Sequence, residues 1–138
     1  MATQSGTQMT RLNAGTAPAP GFVDGGVHVF NEEITLASQP TTDIVEVARL
    51  PRGAIPLFGV IETDTSLGAA TVAIGIAGAT GKYRVAAAFT ATDTPTLFGV
   101  GAAIGAALTA EETVIVTIAA AALPASGVLR VMFFYAFD

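Results

Sequence analysis

The chain has 138 residues, a formal net charge of −5, a hydrophobic content of 51% and a charged content of 12%. An ordinary soluble domain has roughly 25% charged residues, so this chain is unusually apolar, and disorder along its whole length is excluded. Its length fits a single domain. Phosphate backbones are bound by clustered lysine and arginine, whereas the six basic residues here are scattered, which argues against nucleic acid as a partner.

Two further classes are excluded by what the sequence lacks. It contains no cysteine, which removes disulfides, thiol catalysis and thiolate metal sites. The longest apolar run, residues 97–108, is well short of the roughly 20 residues that a membrane-spanning helix needs, so we expect no membrane partner. The first residues show no basic start followed by an apolar stretch, so export on a signal peptide is not expected.

The chain divides into an N-terminal arm, residues 1–21, and one folded domain, residues 22–138. The arm is rich in Thr, Gln, Ser, Ala and Pro and closes with Ala17-Pro18-Ala19-Pro20-Gly21. It has too few large apolar side chains to pack by itself, which predicts an extended or disordered segment. Either it is a tail without a role, or it becomes ordered on a neighbouring subunit.

From residue 22 onward, short apolar runs alternate with clusters of Gly, Pro, Asp, Asn, Ser and Thr, a pattern typical of successive strands. Several runs also alternate with a period of two, among them 71–76, 83–90 and 113–118. The alanine-rich stretches 102–110 and 119–123 are compatible with either short helices or strands. The pattern predicts an all-β sandwich, with the jelly roll as one candidate topology. The predicted strands are 22–30, 33–37, 42–50, 54–63, 69–77, 82–91, 97–107, 112–120 and 127–137.

The last predicted strand is apolar on both faces. One face carries Leu129, Val131, Phe133, Tyr135 and Phe137, and the opposite face is interrupted only by an arginine. Because a strand of a sandwich buries one face in the core, the second apolar face requires another cover. That cover is either a loop or arm of the same chain, or another subunit. The candidate oligomer interface is Val128, Arg130, Met132 and Phe134.

Catalytic chemistry finds little support. The single histidine, His28, has no second imidazole with which to bind zinc, and we expect it to be a structural or surface residue. The pairs Glu32-Glu33 and Glu111-Glu112 are adjacent in strands and so point to opposite faces. Glu62 and Asp64 share a face as an ion site would require, but the segment that begins at Asp64 is typical of a turn.

Glycine-rich motifs do not fit cofactor sites either. In Gly78-Ala79-Thr80-Gly81-Lys82 the following residue is Tyr83, where a phosphate loop needs Ser or Thr. The glycines at 99, 101 and 105 lack the spacing of the dinucleotide fingerprint. We therefore expect no enzyme, no catalytic residues, no metal and no cofactor.

One resemblance covers roughly residues 45–137. The order of turns and strands along this region resembles that of the head decoration, or cement, proteins of tailed bacteriophages. The segments that carry it are Leu50-Pro51-Arg52-Gly53-Ala54, Val60-Ile61-Glu62-Thr63-Asp64-Thr65-Ser66-Leu67-Gly68, Ala70-Thr71-Val72-Ala73-Ile74-Gly75, Lys82-Tyr83-Arg84-Val85-Ala86-Ala87-Ala88-Phe89-Thr90-Ala91, Asp93-Thr94-Pro95 and the polar–apolar alternation from Glu111 to Ile118.

The resemblance implies a β-sandwich that forms a homotrimer, sits on the outer surface of the capsid and clamps neighbouring capsomers of the major capsid protein. It implies synthesis in the host cytoplasm, and it supplies no catalytic residues. Two other functions stay open. One is a tail, neck or fibre component of a phage, which would have a similar composition. The other is a carbohydrate-binding sandwich, which would need exposed aromatic side chains for stacking on sugars. The chain has no tryptophan, and its only tyrosines are Tyr83 and Tyr135.

The arm generates the first testable prediction. Deleting residues 2–17 should leave a soluble, folded sandwich that binds capsids several-fold more weakly, because an arm that becomes ordered on a neighbour supplies contacts that the sandwich lacks. Capsid occupancy at limiting protein concentration is the measurement. Undiminished occupancy by the truncated protein would leave only the interpretation of a tail without a role.

Overall fold

The computed structural model describes residues 4, 9, 11, 13–17 and 26–137. Most of the predicted arm therefore lies outside the described residues. Of the described residues of the arm, Met9, Arg11 and Asn13 have helical backbone. The backbone N–H of Thr16 donates to the carbonyl oxygen of Arg11 at 2.8 Å.

Eight strands make up the described domain, and they form two four-stranded antiparallel sheets, as the alternating sequence pattern predicted. The first sheet has the order β1-β8-β3-β6 and the second has the order β2-β7-β4-β5. The strands are β1 (Val27–Thr35), β2 (Ile44–Leu50), β3 (Ala54–Thr63), β4 (Thr71–Ile76), β5 (Ala79–Ala88), β6 (Thr96–Phe98), β7 (Glu112–Ala119) and β8 (Val128–Phe137).

The core lies between the two sheets and consists mostly of aliphatic side chains. Alternate residues of β7 and β8 point into it, such as Val114 and Val116 from one sheet and Leu129 and Val131 from the other, all at most 1% exposed.

The close approach of β3 and its neighbour β6 depends on a residue without a side chain. A Cβ on Gly59 would lie 2.0 Å from Cζ of Phe98, so only glycine leaves room for the ring of the neighbouring edge strand.

The predictions for both edge strands of the first sheet, β1 and β6, are wrong. The predicted strands 22–30 and 33–37 are one strand as far as they are described, because Asn31 is an exposed residue of the edge strand β1 opposite Met132, where a polar side chain faces solvent. The predicted strand 97–107 is reduced to β6. Repeated glycines break it, and Gly105 has a φ of +84°, which an extended strand cannot accommodate.

The predicted alternation along β5 fails at two positions. Tyr83 is buried, but Val85 and Ala87, on the same predicted face, are exposed, Val85 to 66%. Register shifts between β4 and β5 on both sides of Ile74 explain this, because an extra residue in one strand turns the following side chains to the other face. The alanine-rich stretches 102–110 and 119–123 are turns, bends and the end of β7, with no helical residue.

A polar contact at the rim of the core joins β5 to β7, the two strands on either side of β4 in the second sheet. Tyr83 donates from its hydroxyl to Oε2 of Glu112 at 2.8 Å, and the ammonium group of Lys82 contacts the other carboxylate oxygen. The ring of Tyr83 meets Phe133 of the first sheet edge-on, with centroids 4.8 Å apart. Burial, followed by the hydrogen bond and the negative charge of Glu112, raises the pKa of the Tyr83 hydroxyl above its usual value.

This contact predicts how stability depends on alkaline pH. Tyrosine in the unfolded chain ionises near pH 10, and the pKa is higher in the folded protein, so Tyr83 contributes stability that is complete below pH 10 and is lost as pH rises further. Replacing Tyr83 with phenylalanine should cost about 1.5–3 kcal/mol near neutral pH, where a hydrogen bond to a charged group is lost. The same variant should lose stability less steeply above pH 10.

Denaturant unfolding at a series of pH values is the measurement, and Tyr135→Phe is the matched control. The control should keep the wild-type steepness. A Tyr83→Phe variant with the wild-type alkaline slope would show that this hydroxyl does not carry the effect.

Candidate functional site

The four predicted interface residues lie together on the side of β8 that faces away from the core. Val128, Arg130, Met132 and Phe134 are each half-buried, whereas Leu129, Val131 and Phe133 on the core side are at most 1% exposed. The structure thus places the four predicted residues on one surface.

This surface extends over the flanking strands. In the antiparallel register, Phe134 is paired with Val29 of β1 and with Phe58 of β3, and residues paired in this way share a face. The rings of Phe58 and Phe134 stack with centroids 4.9 Å apart. We call this surface the outer apolar face, and it consists of Val27, Val29, Phe58, Val60, Leu97, Met132 and Phe134.

Much of the outer apolar face is accessible to solvent. Leu97 is 71% exposed, Val27 62%, Val29 50% and Phe58 40%. Large side chains that are scattered singly need no explanation, but these are contiguous across four hydrogen-bonded strands. A contiguous apolar patch of this kind is typical of interaction surfaces.

One end of the outer apolar face carries an ion triad. Arg130 lies between Glu33 of β1 and Glu62 of β3, with Nη2 against Oε1 of Glu33 and Nη1 3.3 Å from Oε2 of Glu62. The hydrogen bond and charge of Glu33 raise the pKa of the Arg130 guanidinium. The triad satisfies the only charge on this side of β8 and holds three strands in register.

Sequence reasoning missed the part of this surface outside β8. Val29, Phe58 and Leu97 come from three separate strands, and their proximity depends on the strand order, which periodicity does not reveal. The only local signal was strand alternation. Each of these large apolar residues is next in sequence to a residue whose side chain points to the opposite face, which places it on a face but not beside the other two.

The other candidate residues are placed as follows. Among the described residues, no group of three or more His, Asp or Glu side chains could hold a metal ion. Glu62 is paired with Arg130, and Asp64 accepts a hydrogen bond from the backbone N–H of Val128 at 2.9 Å. As predicted, the segment after Asp64 is a turn, in which Ser66 accepts from the N–H of Gly68.

The glutamate doublets do divide between two faces. Glu33 points to the outer side of β1, and Glu32, on the other side, lines an open groove of about 180 Å³ with Phe30 and Glu46. Glu112 points to Tyr83, whereas Glu111 lies 3.9 Å from Arg49 at the surface. Neither doublet forms an acid–base pair. Within the described residues, no helix is long and apolar enough to cross a membrane.

Three solved structures of phage capsids contain chains with this fold. A chain of the cyanophage Pam1 capsid asymmetric unit matches with a TM-score of 0.71 and 26% identity over 89% of this chain and 92% of that chain. A chain of the capsid of Ralstonia phage GP4 matches with a TM-score of 0.62 and 22% identity over 84% and 86% of the two chains. A chain of the acidic stable capsid structure of Helicobacter pylori bacteriophage KHP30 matches with a TM-score of 0.61 and 12% identity over 80% and 87%.

The fold is shared with chains of phage capsids. The GP4 and KHP30 matches show the fold alone, at their low identities, and the Pam1 match adds a modest likeness of sequence over nearly the whole length. No protein-family model matches the sequence, and no curated protein matches it.

The site generates a prediction for acidic pH. The N–H of Val128, followed by the hydroxyl of Thr65, lowers the pKa of Asp64 in the folded protein. Asp64 therefore contributes stability that is present above its unfolded pKa, near 4, and is lost as pH falls through the lower folded value. Replacing Asp64 with asparagine should flatten the fall in melting temperature between pH 5 and strongly acidic conditions.

Asp43→Asn, which alters an exposed aspartate in another loop, is the control and should keep the wild-type acid dependence. Thermal unfolding followed by circular dichroism is the measurement. An Asp64→Asn profile parallel to that of the wild type would contradict the assignment.

Proposed function

We propose that this chain is a structural protein of a phage virion, and more specifically a decoration protein on the outer surface of the head. The observation that carries the proposal is the Pam1 likeness, which covers 89% of this chain and 92% of the other. Because the match leaves little of either chain over, that capsid chain is a small protein similar in size to this one, and not a large shell protein with a sandwich as one part. A small added protein is what decoration of a shell requires.

We further propose that the sandwich is a jelly roll. A jelly roll has eight antiparallel strands in two four-stranded sheets. Here the sheet orders β1-β8-β3-β6 and β2-β7-β4-β5 mean that β4 and β5 are the only consecutive strands that are neighbours within a sheet. Every other connection crosses between sheets.

The outer apolar face is the proposed contact between copies, and the proposed oligomer is a homotrimer. Burial of a Phe or Met side chain contributes roughly 1.5–3 kcal/mol relative to leaving it exposed, so Phe58, Met132 and Phe134 on each subunit favour association. A closed oligomer formed through this face would shield it from solvent. Trimers also match the three-fold positions that lie between capsomers, where a decoration protein can contact neighbouring copies of the major capsid protein.

Binding to the shell is proposed to be passive, without a chemical step. The carboxylates considered as candidate ligands already have internal partners, as Glu62 has in Arg130 and Glu112 has in Tyr83 and Lys82. In this proposal the N-terminal arm adds further contacts along the assembled shell.

The oligomer is tested with Phe134→Glu. The wild-type protein at micromolar concentration should show three times the chain mass of 13.9 kDa by light scattering, and the variant should dissociate because the interface would bury an unpaired charge. Val85→Glu, a charge placed on an exposed valine of β5, is the control and should leave the oligomer unchanged. A wild-type species that stays at the mass of one chain would overturn the trimer.

The location is tested by electron microscopy of capsids incubated with the purified protein. Additional density on the outer surface is expected, with lower occupancy for Phe134→Glu than for Val85→Glu at limiting concentration. Density confined to the tail or neck would contradict a role on the head and favour a tail or neck component instead.

A further inference from the structure

The outer edge of β1 has no neighbouring strand in the part of the chain that the structure describes. β1 is the first strand of the order β1-β8-β3-β6, and its nine residues pair with β8 without a register shift. The N–H of Leu36 donates to the carbonyl oxygen of Gly127 at 2.9 Å, so in this antiparallel register the even-numbered residues of β1 bond to β8. The odd-numbered residues direct their N–H and carbonyl groups outward, and these are Val27, Val29, Asn31 and Glu33.

The other three edge strands of the two described sheets are short or irregular. β6 has only three residues. β2 has a register shift between Glu46 and Ala48, and β5 has two register shifts against β4. Short strands and bulges are common means by which proteins keep an edge from pairing with another chain. β1 has neither, so its edge is the one best able to accept an added strand.

A groove lies beside this edge, between the two sheets. It has a volume of about 180 Å³, with Phe30 and Glu32 of β1 on one side and Glu46, Val47 and Ala48 of β2 on the other. The three apolar side chains are buried or half-buried, whereas both glutamates are exposed. The groove therefore has an apolar floor and carboxylates at its rim.

Glu32 and Glu46 differ from the other glutamates of the chain because neither has a partner. Among the described residues, neither makes an ion pair or a hydrogen bond. The four glutamates that do contact a basic side chain are Glu33, Glu62, Glu111 and Glu112. Arg49 also lines the groove, but it lies 3.9 Å from Glu111. An excess of negative charge above an apolar floor suits the charged end and aliphatic stem of a lysine or arginine.

We propose that the outer edge of β1 binds an extended basic segment of a shell protein as an added strand. The inference rests on the proposed function, since the segment belongs to the shell that this protein is proposed to decorate. It deepens that proposal by naming a surface for the shell that is distinct from the contact between copies. Main-chain hydrogen bonds to the edge supply affinity in this mode of binding, and the side chains of alternate residues supply specificity.

The geometry of strand addition defines the segment that fits. A residue opposite Phe30 or Glu32 shares their face of the sheet and lies over the groove, where a basic side chain extends towards Glu32 and Glu46. A residue opposite Val29 lies on the other side, next to the outer apolar face. The bound segment is therefore expected to alternate basic and apolar residues.

Charge favours a foreign segment over this chain's own arm or a second copy. The chain has a net charge of −5, and its sequence contains no lysine or arginine between Arg11 and Arg49. Arg11 has helical backbone and Arg52 lies in the turn before β3, so neither belongs to an extended segment. The basic side chains that already contact carboxylates or carbonyls of their own chain are Arg49, Lys82, Arg84 and Arg130.

The recognition is tested with a peptide probe and the 15N-labelled full-length protein. The probe is a capped peptide that alternates arginine with valine, and its control carries citrulline, which is neutral and similar in shape, in place of arginine. Millimolar arginine peptide should shift the amide signals of β1 and of residues 46–49 but not that of Val85, and added salt should weaken the effect because exposed charges are screened. Absence of these shifts, or equal shifts with the citrulline peptide, would overturn the inference.

Two sets of variants separate strand addition from attraction between charges. Asn31→Pro removes an N–H that faces outward, so β1 keeps its bonds to β8 while an added strand loses a donor. It should bind the arginine peptide several-fold more weakly than the matched variant Asn31→Thr, which keeps that N–H. Glu32→Gln combined with Glu46→Gln should also weaken binding several-fold, whereas Asp43→Asn should not. Wild-type affinity in the proline variant or in the double glutamine variant would contradict the proposed mode of binding.

The source of the segment is identified on decorated capsids. The photoreactive residue benzoylphenylalanine, placed at position 31, should crosslink to a peptide of the shell protein that contains lysine or arginine, as read by mass spectrometry. A crosslink to this chain or to another copy of it, or no crosslink on decorated capsids, would overturn the inference and leave the proposed function standing. Capsids that the wild-type protein does not decorate would overturn the proposed function and the shell as the source. The peptide titration contains no capsid, so its result distinguishes the two failures.

Discussion

The structure depends on one constraint, which is that β8 is apolar on both faces but only one face can point into the core. The core side is filled by Leu129, Val131 and Phe133. Because β8 lies between β1 and β3, the opposite side is continued by apolar side chains of both neighbours, and Val29 and Phe58 flank Phe134 directly. Part of this side is buried within the chain, since Ile55 and Ala136 are at most 2% exposed. The rest, including Val29 and Phe58, is accessible to solvent, and in the proposal above it is covered by association between copies.

The few charged side chains are used mostly inside the molecule. Arg130 is held between Glu33 and Glu62, and Lys82 contacts Glu112. The guanidinium of Arg84 donates to the carbonyls of Val72, Ala87 and Ala88, where the register between β4 and β5 is irregular, and burial lowers its pKa. Half of the six basic residues therefore serve to hold strands together. A protein built in this way has little positive charge left for a polyanion.

The sequence was most informative where side-chain alternation and turn residues agreed. The bounds predicted for 54–63 are those of β3, and those for 112–120 and 127–137 differ from β7 and β8 by one residue. It was misleading where tertiary structure overrides local pattern, as at Asn31, which continues an edge strand, and at Val85, which follows a register shift. The candidate site was predicted only as far as β8, because strand order is a property of contacts distant in sequence. The stacking of Phe58 on Phe134 joins residues that no local pattern connects.

Alternate residues of β1 and β8 serve the two sides of the first sheet. Along β1, Val27 and Val29 belong to the outer apolar face, whereas His28 and Phe30 stack with Tyr135 on the core side. In the proposed oligomer the contacts between copies therefore lie on one side of the first sheet. The end of the sandwich where β1 ends and β8 begins is formed by four loops that carry Asp43, Asp64 and Asp93 and no basic residue. Association through the outer apolar face would leave these acidic loops and the second sheet accessible.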